Sequence, residues 1–289
     1  MLKYSLKLIA SICGFFLVCL ALAWFDPFVG SPHANDMRSV FVFVGTLFAI
    51  LAGFFISSLW DRFTRIRTLV AYETASLENI YKFCELIDPA LAKRSAGLID
   101  RYIIKALDTA LVYYQENVRE EYFSFYELLQ ALPGKGTDVP YTRLLNIFDL
   151  FAKSRKEILS RVKDKLGIHQ WITLSLLSFL IAIFWLHLQF PGAIGILVGS
   201  ILLFSIGIIL YIVHDLNNPR WGGERPGIKV YDINVEVYER VYDVMNIPRY
   251  YPEELLQFVR LPACVRAYRV GVIVDKKTGE RECSTVTVK

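Results

Sequence analysis

Four long apolar blocks constrain this chain more than any other feature it carries. They span residues 6–25, 40–60, 171–190 and 193–213. A helix needs roughly 20 apolar residues to cross about 30 Å of hydrocarbon, and each block is close to that length. None holds Asp, Glu, Lys or Arg in its interior. Only helices and closed barrels satisfy their own backbone groups in lipid, and runs this continuous are helical. The expected fold class is therefore an all-α membrane protein with four transmembrane helices. Its expected segments are crossings one and two in residues 1–60, a helical cytoplasmic domain in 61–170, crossings three and four in 171–214, and a small α+β tail in 215–289.

Basic residues set the direction. Arg62, Arg65 and Arg67 follow the second block, Arg161, Lys163 and Lys165 precede the third, and Arg220 and Arg225 follow the fourth. Lys3 and Lys7 stand at the start of the first, whereas the 26–38 loop has one basic residue and the Pro191-Gly192 link none. Positive residues accumulate on the cytoplasmic side, so both termini and the middle segment are expected there. Trp24, Trp60, Trp171 and Trp185 lie near block ends, where interfacial indoles sit. The rival reading of the first block is a cleaved signal peptide, with Ala21-Leu22-Ala23 as its processing site. Against it, the run is long for a signal segment and Trp24-Phe25 is a poor mature start.

The charge balance excludes less than it first suggests. A net charge of +4 could point to nucleic acid, but the cations cluster beside the apolar blocks and no recognition motif accompanies them. The lipid bilayer is the expected partner, and nucleic acid is not. The five cysteines form no C-x-x-C and only four histidines are present, so neither a zinc site nor a disulfide framework is expected. No P-loop, G-x-S-x-G, H-E-x-x-H or dinucleotide fingerprint occurs, and no cofactor or catalytic residue is expected. His214 adjoins Asp215, but successive residues on a helix point apart, so the pair reads as structural.

Outside the blocks, helix period continues past Trp60 through Leu69, Tyr72, Leu77, Ile80, Tyr81 and Cys84, so the second crossing is expected to run on as one long helix. Asp88-Pro89 is a restart signal, an N-cap oxygen followed by proline at the first helical position. A second helix is expected to reach about Leu132. A third is expected from about Asp138 into the third block, and another over 231–246. A hairpin is expected over 266–288, too small to stand alone and so packed on the helices or on a neighbouring subunit. The 113–121 stretch, with Tyr113, Tyr114, Glu116, Arg119, Glu120 and Glu121, is a polar-aromatic cluster: inter-helix ion pairs are its simplest role, a ligand site the sharper one.

The second block carries two stripes. Gly45, Ala49, Gly53 and Ser57 recur every four residues, and Phe41, Phe48 and Phe55 every seven. At roughly 100° per residue the phenylalanine stripe sits about 120° from the small one. Small stripes let helices approach closely, and Gly195 and Gly199 repeat that signal in the fourth block. A ring of apolar faces from several copies would make a hydrophobic constriction of the kind that gates pores. Proton relays and ion-coupled transport need ionisable groups within the membrane, so their absence from the blocks disfavours a stator-like proton motor.

The order of motifs resembles the bacterial bestrophin-like membrane family. After the second crossing come Trp60-Asp-Arg-Phe-Thr-Arg-Ile-Arg, Ala71-Tyr-Glu-Thr-Ala-Ser-Leu-Glu and Leu98-Ile-Asp-Arg-Tyr. After the fourth comes His214-Asp-Leu-Asn-Asn-Pro-Arg-Trp-Gly. The resemblance covers roughly residues 36–223, with Arg65, Arg67, Glu73, Asp215, Asn218 and Pro219 in its motifs. It implies an oligomeric passive ion channel, a pentamer by likeness to bestrophins. Inorganic anions would be slightly favoured, the second crossing would line the pore in a bacterial inner membrane, and Phe41, Phe48 and Phe55 would be the pore-lining candidates. The acidic calcium-clasp run of animal bestrophins is not found, and the ending carries an extra residue before Pro219. The competing reading is a membrane scaffold or sensor that binds a partner through its cytoplasmic helices and tail.

Overall fold

The computed structural model describes residues 34–108, 116, 118–130, 139–188, 193–217, 230–253, 256, 267–275 and 280–287. The first apolar block lies outside them, so the expected first crossing does too. The elements in chain order are α1 (Ala34–Ile87), α2 (Pro89–Asp108), α3 (Arg119–Gln130), α4 (Val139–Lys163), α5 (Ile168–Leu188), α6 (Ala193–Asn217), α7 (Val230–Met245), β1 (Arg249–Pro252), β2 (Ala267–Asp275) and β3 (Glu280–Thr287). They divide into two compact units. The first is Met1–Phe63 with Lys165–Pro219, and the second is Thr64–Asp164 with Arg220–Lys289.

Among the described residues three helical stretches are long and apolar enough to cross a membrane: Arg38–Ile87, Tyr141–Trp185 and Leu197–Asn217. In the first unit, α1, α5 and α6 share one apolar core. Val44, Phe48, Ala52, Phe55 and Leu59 of α1 meet Leu174, Leu177 and Ile181 of α5 and Ile206 and Val213 of α6. Hydroxyls on these helices bond back to their own turns, as Thr46 does to the Val42 carbonyl (2.8 Å), Ser178 to Leu174 (2.7 Å) and Ser205 to Ile201 (2.8 Å). Each hydroxyl is thus satisfied within its own helix.

The expectation that α4 would continue into the third block is corrected by a break at residues 164–167. Gly167 caps a new helix there: its carbonyl accepts from Gln170 N–H (3.1 Å), and Gln170 Oε1 accepts from Gly167 N–H (2.7 Å). This reciprocal cap starts α5 independently of α4. The expected helix reaching Leu132 is interrupted as well: Val118 is a turn residue and α3 begins at Arg119, while residues 109–115 and 117 lie outside the described residues. Phe125, Leu128 and Leu129 of α3 are buried, with α3 packed on α2.

In the second unit α1 runs to Ile87 and α2 restarts at once. Asp88 Oδ1 accepts from Ala90 N–H (3.0 Å), with Pro89 at the first helical position. The core joins Leu69, Leu77, Ile80 and Cys84 of α1, Ile99, Tyr102 and Ile103 of α2, Phe148, Phe151 and Ile158 of α4, and Tyr238 and Tyr242 of α7. Helix α7 closes with Asn246 at φ 53°, and Ile247 N–H reaches back to the Tyr242 carbonyl (3.1 Å). This is the left-handed cap that asparagine tolerates.

The expected hairpin is present as β2 and β3, antiparallel from Ala267↔Thr287 to Asp275↔Glu280. A third strand, β1, pairs parallel to β2 with Arg249 opposite Tyr268. It went unforeseen because it is four residues long and ends on a proline. The tail is fastened to α2. Arg269 makes a forked pair with Asp100 (2.8 and 2.5 Å), Tyr250 donates to Asp108 (2.9 Å), and Arg281 pairs with Asp108 (3.3 Å). Of the two expected resting places, the helices of the same chain receive it.

Candidate functional site

In the first unit α1 has two faces of opposite character. Phe48 and Phe55 are only 4% and 6% exposed and sit inside the core with α5 and α6, with Phe41 packed against the same cluster. Phe48 and Phe55, with the partly buried Phe41 beside them, join α1 to α5 and α6. The outward face is also apolar: Ile50 and Phe54 are 63% and 66% exposed, with Val42, Phe43 and Leu47 beside them. At roughly 100° per residue, Thr46 and Ile50 lie almost opposite the phenylalanine seam.

The small residues belong to the outward side. Ala49, Gly53 and Ser57 are exposed and Gly45 partly so, and a Cβ added at Gly45 or Gly53 would have no neighbour within 4 Å. They pack nothing within the described unit. Gly199 behaves differently: a Cβ there would fall 1.6 Å from the Trp185 ring, so the missing side chain makes room for that indole between α5 and α6. Gly195 lies in α6.

The family-motif residues separate into ties and buried polar groups. Asp215 lies in the last turns of α6, while Asn218 and Pro219 fall outside the described residues. Their neighbour Asn217, which sequence reasoning passed over, is buried and accepts from Leu166 N–H (2.7 Å), tying the end of α6 to the entry of α5. His214 packs its ring edge-on against Trp171 (6.0 Å).

In the second unit Arg65 is a tie between helices, gripping Glu157 of α4 through Nε (3.0 Å) and Nη2 (2.8 Å), while Arg67 is exposed. Glu78 ties α1 to α7 through Arg240 (3.2 Å), and Glu121 ties α3 to α2 through Lys105 (2.6 Å). Glu73 is fully buried and accepts a hydrogen bond from Tyr102 Oη. Tyr102 in turn packs at a tilt against Phe151 (5.4 Å) and edge-on against Phe125 (6.2 Å). Arg155, 5% exposed, lies over Tyr122 (4.2 Å) and Tyr102 (5.4 Å). Burial and the charge of Glu73 push the Tyr238 phenol well above its ordinary range. Burial pushes the Cys84 thiol up to about 11, opposed by a bond from Ser95. This polar knot inside an aromatic core could not be read from spacing, because its members come from four helices.

Among the described residues no group of three or more His, Cys, Asp or Glu is arranged to hold a metal ion. What the fold defines is a class: helical proteins with membrane-length apolar stretches, a separate helical body and a small mixed sheet. The chain belongs to the Bestrophin-like family, whose domain model matches residues 12–223. Among solved structures it is similar to a bacterial bestrophin homolog from Klebsiella pneumoniae. An isoleucine-to-threonine mutant of that protein aligns with a TM-score of 0.63 at 13% identity, covering 84% of this chain and 99% of the other. A leucine-to-threonine mutant aligns at 0.62 and 14%, covering 82% and 98%. The structure phased on zinc aligns at 0.59 and 14%, covering 84% and 99%. At such identity the likeness carries the fold. A search of curated proteins gave no match.

Proposed function

We propose that several copies of this chain, five by family likeness, surround a passive ion pore in a bacterial inner membrane, with anions favoured. The observation that carries the reading is the uncovered face of α1. It is apolar, free of charge from Ser39 to Trp60, and edged by small residues that no helix of the described unit covers. Thr46, Ile50 and Phe54 replace the phenylalanine seam as the pore-lining residues. Gly45, Ala49 and Gly53 form the flank where the next copy packs, since small residues mark helix contacts in lipid. The face carries neither carboxylates nor cationic side chains, so the preference for anions rests on the family likeness. Both termini and the second unit lie on the cytoplasmic side, as the basic residues require.

The test is chloride flux from proteoliposomes holding the purified full-length chain, alongside particle images of the same sample. The expected result is a ring with α1 at its centre and a flux that Phe54→Ala alters. A stable ring that passes no ion would overturn the channel reading and favour the scaffold, as would monomers or dimers that retain a protein partner.

A further inference from the structure

The open groove between α2 and α3 takes no part in the proposed pore, and its charge is one-sided. It encloses about 560 Å³ and is lined by Lys93, Arg94, Gly97 and Arg101 of α2 and by Ser124 and Glu127 of α3. That volume is within the roughly 300–1,000 Å³ of small-molecule sites. Leu98 and Leu128, both nearly buried, supply its apolar part. The lining carries three cations and one carboxylate, all exposed. Carboxylates close by in the sequence are held elsewhere. Asp100 pairs with Arg269 (2.5 Å), Glu121 pairs with Lys105 (2.6 Å), and Glu120 lies 3.9 Å from the same lysine. Asp88 caps the start of α2 through Ala90 N–H (3.0 Å). Among the described residues Lys93, Arg94 and Arg101 make no ion pair, so within the groove only Glu127 offsets them.

Gly97 is the second observation. It sits inside α2 between Lys93 and Arg101, one turn from each, where glycine costs helix stability relative to alanine. Packing within the described unit does not ask for it: Gly97 is exposed, and a Cβ there would meet nothing within 4 Å. At Gly199 the missing side chain makes room for an indole, whereas at Gly97 nothing takes the room. The gap lies between cations set about 12 Å apart along the helix axis, and the long stems of lysine and arginine can converge on it from both ends.

We propose that this groove binds a small phosphate anion carrying two or more charges, with a diphosphate the best fit. Arg101 would hold one end, Lys93 and Arg94 the other, and the body of the anion would lie over Gly97. An arginine fork matches two phosphate oxygens at once, and lysine acts as a point charge. A single carboxylate would leave most of the cationic surplus unmet.

The test is isothermal titration of the full-length chain in discs of zwitterionic lipid, with inorganic pyrophosphate, orthophosphate and acetate as probes. Pyrophosphate is expected to bind once per chain, about tenfold or more tighter than orthophosphate, and acetate not at all. Lys93→Gln with Arg101→Gln should weaken pyrophosphate by about tenfold or more, since hydrogen bonds to charged groups are lost at both ends. Glu127→Gln should tighten it, because the one opposing charge is removed. Gly97→Leu fills the gap. It should abolish binding while the melting temperature stays at or above that of wild type, because leucine is the better helix former. That pairing separates loss of the site from loss of the fold. If phosphatidic acid in the discs displaces pyrophosphate, the phosphate group reaches the groove on a lipid; if it does not, the ligand is soluble, and either result supports the site. No saturable binding at millimolar pyrophosphate, or binding that the double variant or Gly97→Leu leaves unchanged, would overturn the proposal. Titration reads binding whether or not the protein conducts, so its failure is separate from failure of the channel reading.

Discussion

The two faces of α1 make opposite predictions for two phenylalanines six residues apart. Phe48 is 4% exposed and lies in the core with Leu174, Leu177 and Ile181, while Phe54 is 66% exposed. Truncating Phe48 to alanine removes about 100 Å³ of ring, and at about 24 cal/mol per Å³ of residual cavity the cost is about 2.4 kcal/mol. Lipid tails are as apolar as the core, so the transfer part of the usual penalty is small and the lost packing dominates. That corresponds to a melting shift of about 5–10 °C. Phe54→Ala opens no cavity within the described unit, so its melting temperature should stay within about 2 °C of wild type. Its effect should appear in flux, because a smaller side chain widens an apolar constriction. The assay pairs a thermal melt in detergent with chloride efflux from proteoliposomes at matched protein content. If Phe48→Ala keeps its melting point and changes flux while Phe54→Ala leaves flux untouched, the assignment of the two faces is refuted and the phenylalanine stripe returns as the pore lining.

Three further outcomes follow from the second unit. Gly271→Ala would place a methyl 1.9 Å from Tyr250 Oη, pushing that hydroxyl off Asp108. The tail should lose about 1–3 kcal/mol and become sensitive to limited proteolysis ahead of the helices. Tyr102→Phe removes the hydroxyl that donates to the buried Glu73, and should cost about 1–3 kcal/mol in urea unfolding without changing the helix content by circular dichroism. Cys84 has its thiol raised from 9.0 to about 11 by burial. A raised thiol means the unfolded chain ionises first. Its contribution is therefore intact below about pH 9 and is lost as pH climbs towards 11, by up to roughly 3 kcal/mol. Cys84→Ala should flatten that part of the alkaline stability curve, and an unchanged curve would show that other groups produce it.

Local signals were legible in the sequence where one or two adjacent residues decide the outcome. Asp88 and Pro89 marked a helix restart because the cap bond and the proline are both local. The 231–246 helix and the 266–288 hairpin were legible from period and turn residues, and they appear as α7, β2 and β3. The break before α5 was missed because Gly167 and Gln170 had been read as the tail of a longer helix, although their spacing is that of a reciprocal cap. The site was less legible. Glu73, Tyr102 and Arg155 sit on three helices with no common period. Only packing in three dimensions puts a buried carboxylate, a phenol and a guanidinium into one aromatic core.

The stripes of α1 show where a sequence stops short. A sevenfold repeat of phenylalanine and a fourfold repeat of small residues each fix a line along a helix, but a period carries no phase relative to the neighbours. In a soluble protein polarity supplies the phase, since the polar side faces water. Between Val40 and Trp60 no charge is present to do so, and both stripes are apolar enough to face helix, lipid or pore. Within the described unit Phe48 and Phe55 are large enough to fill the gap between α1 and the α5–α6 pair, and they pack there. The small line marks a face for close helix approach, and Gly45 and Gly53 meet nothing in the described unit. Size explains both outcomes. Three helices joined by rings leave no need for close approach inside the described unit, and on the proposed assembly the residues that permit close approach serve contact between copies.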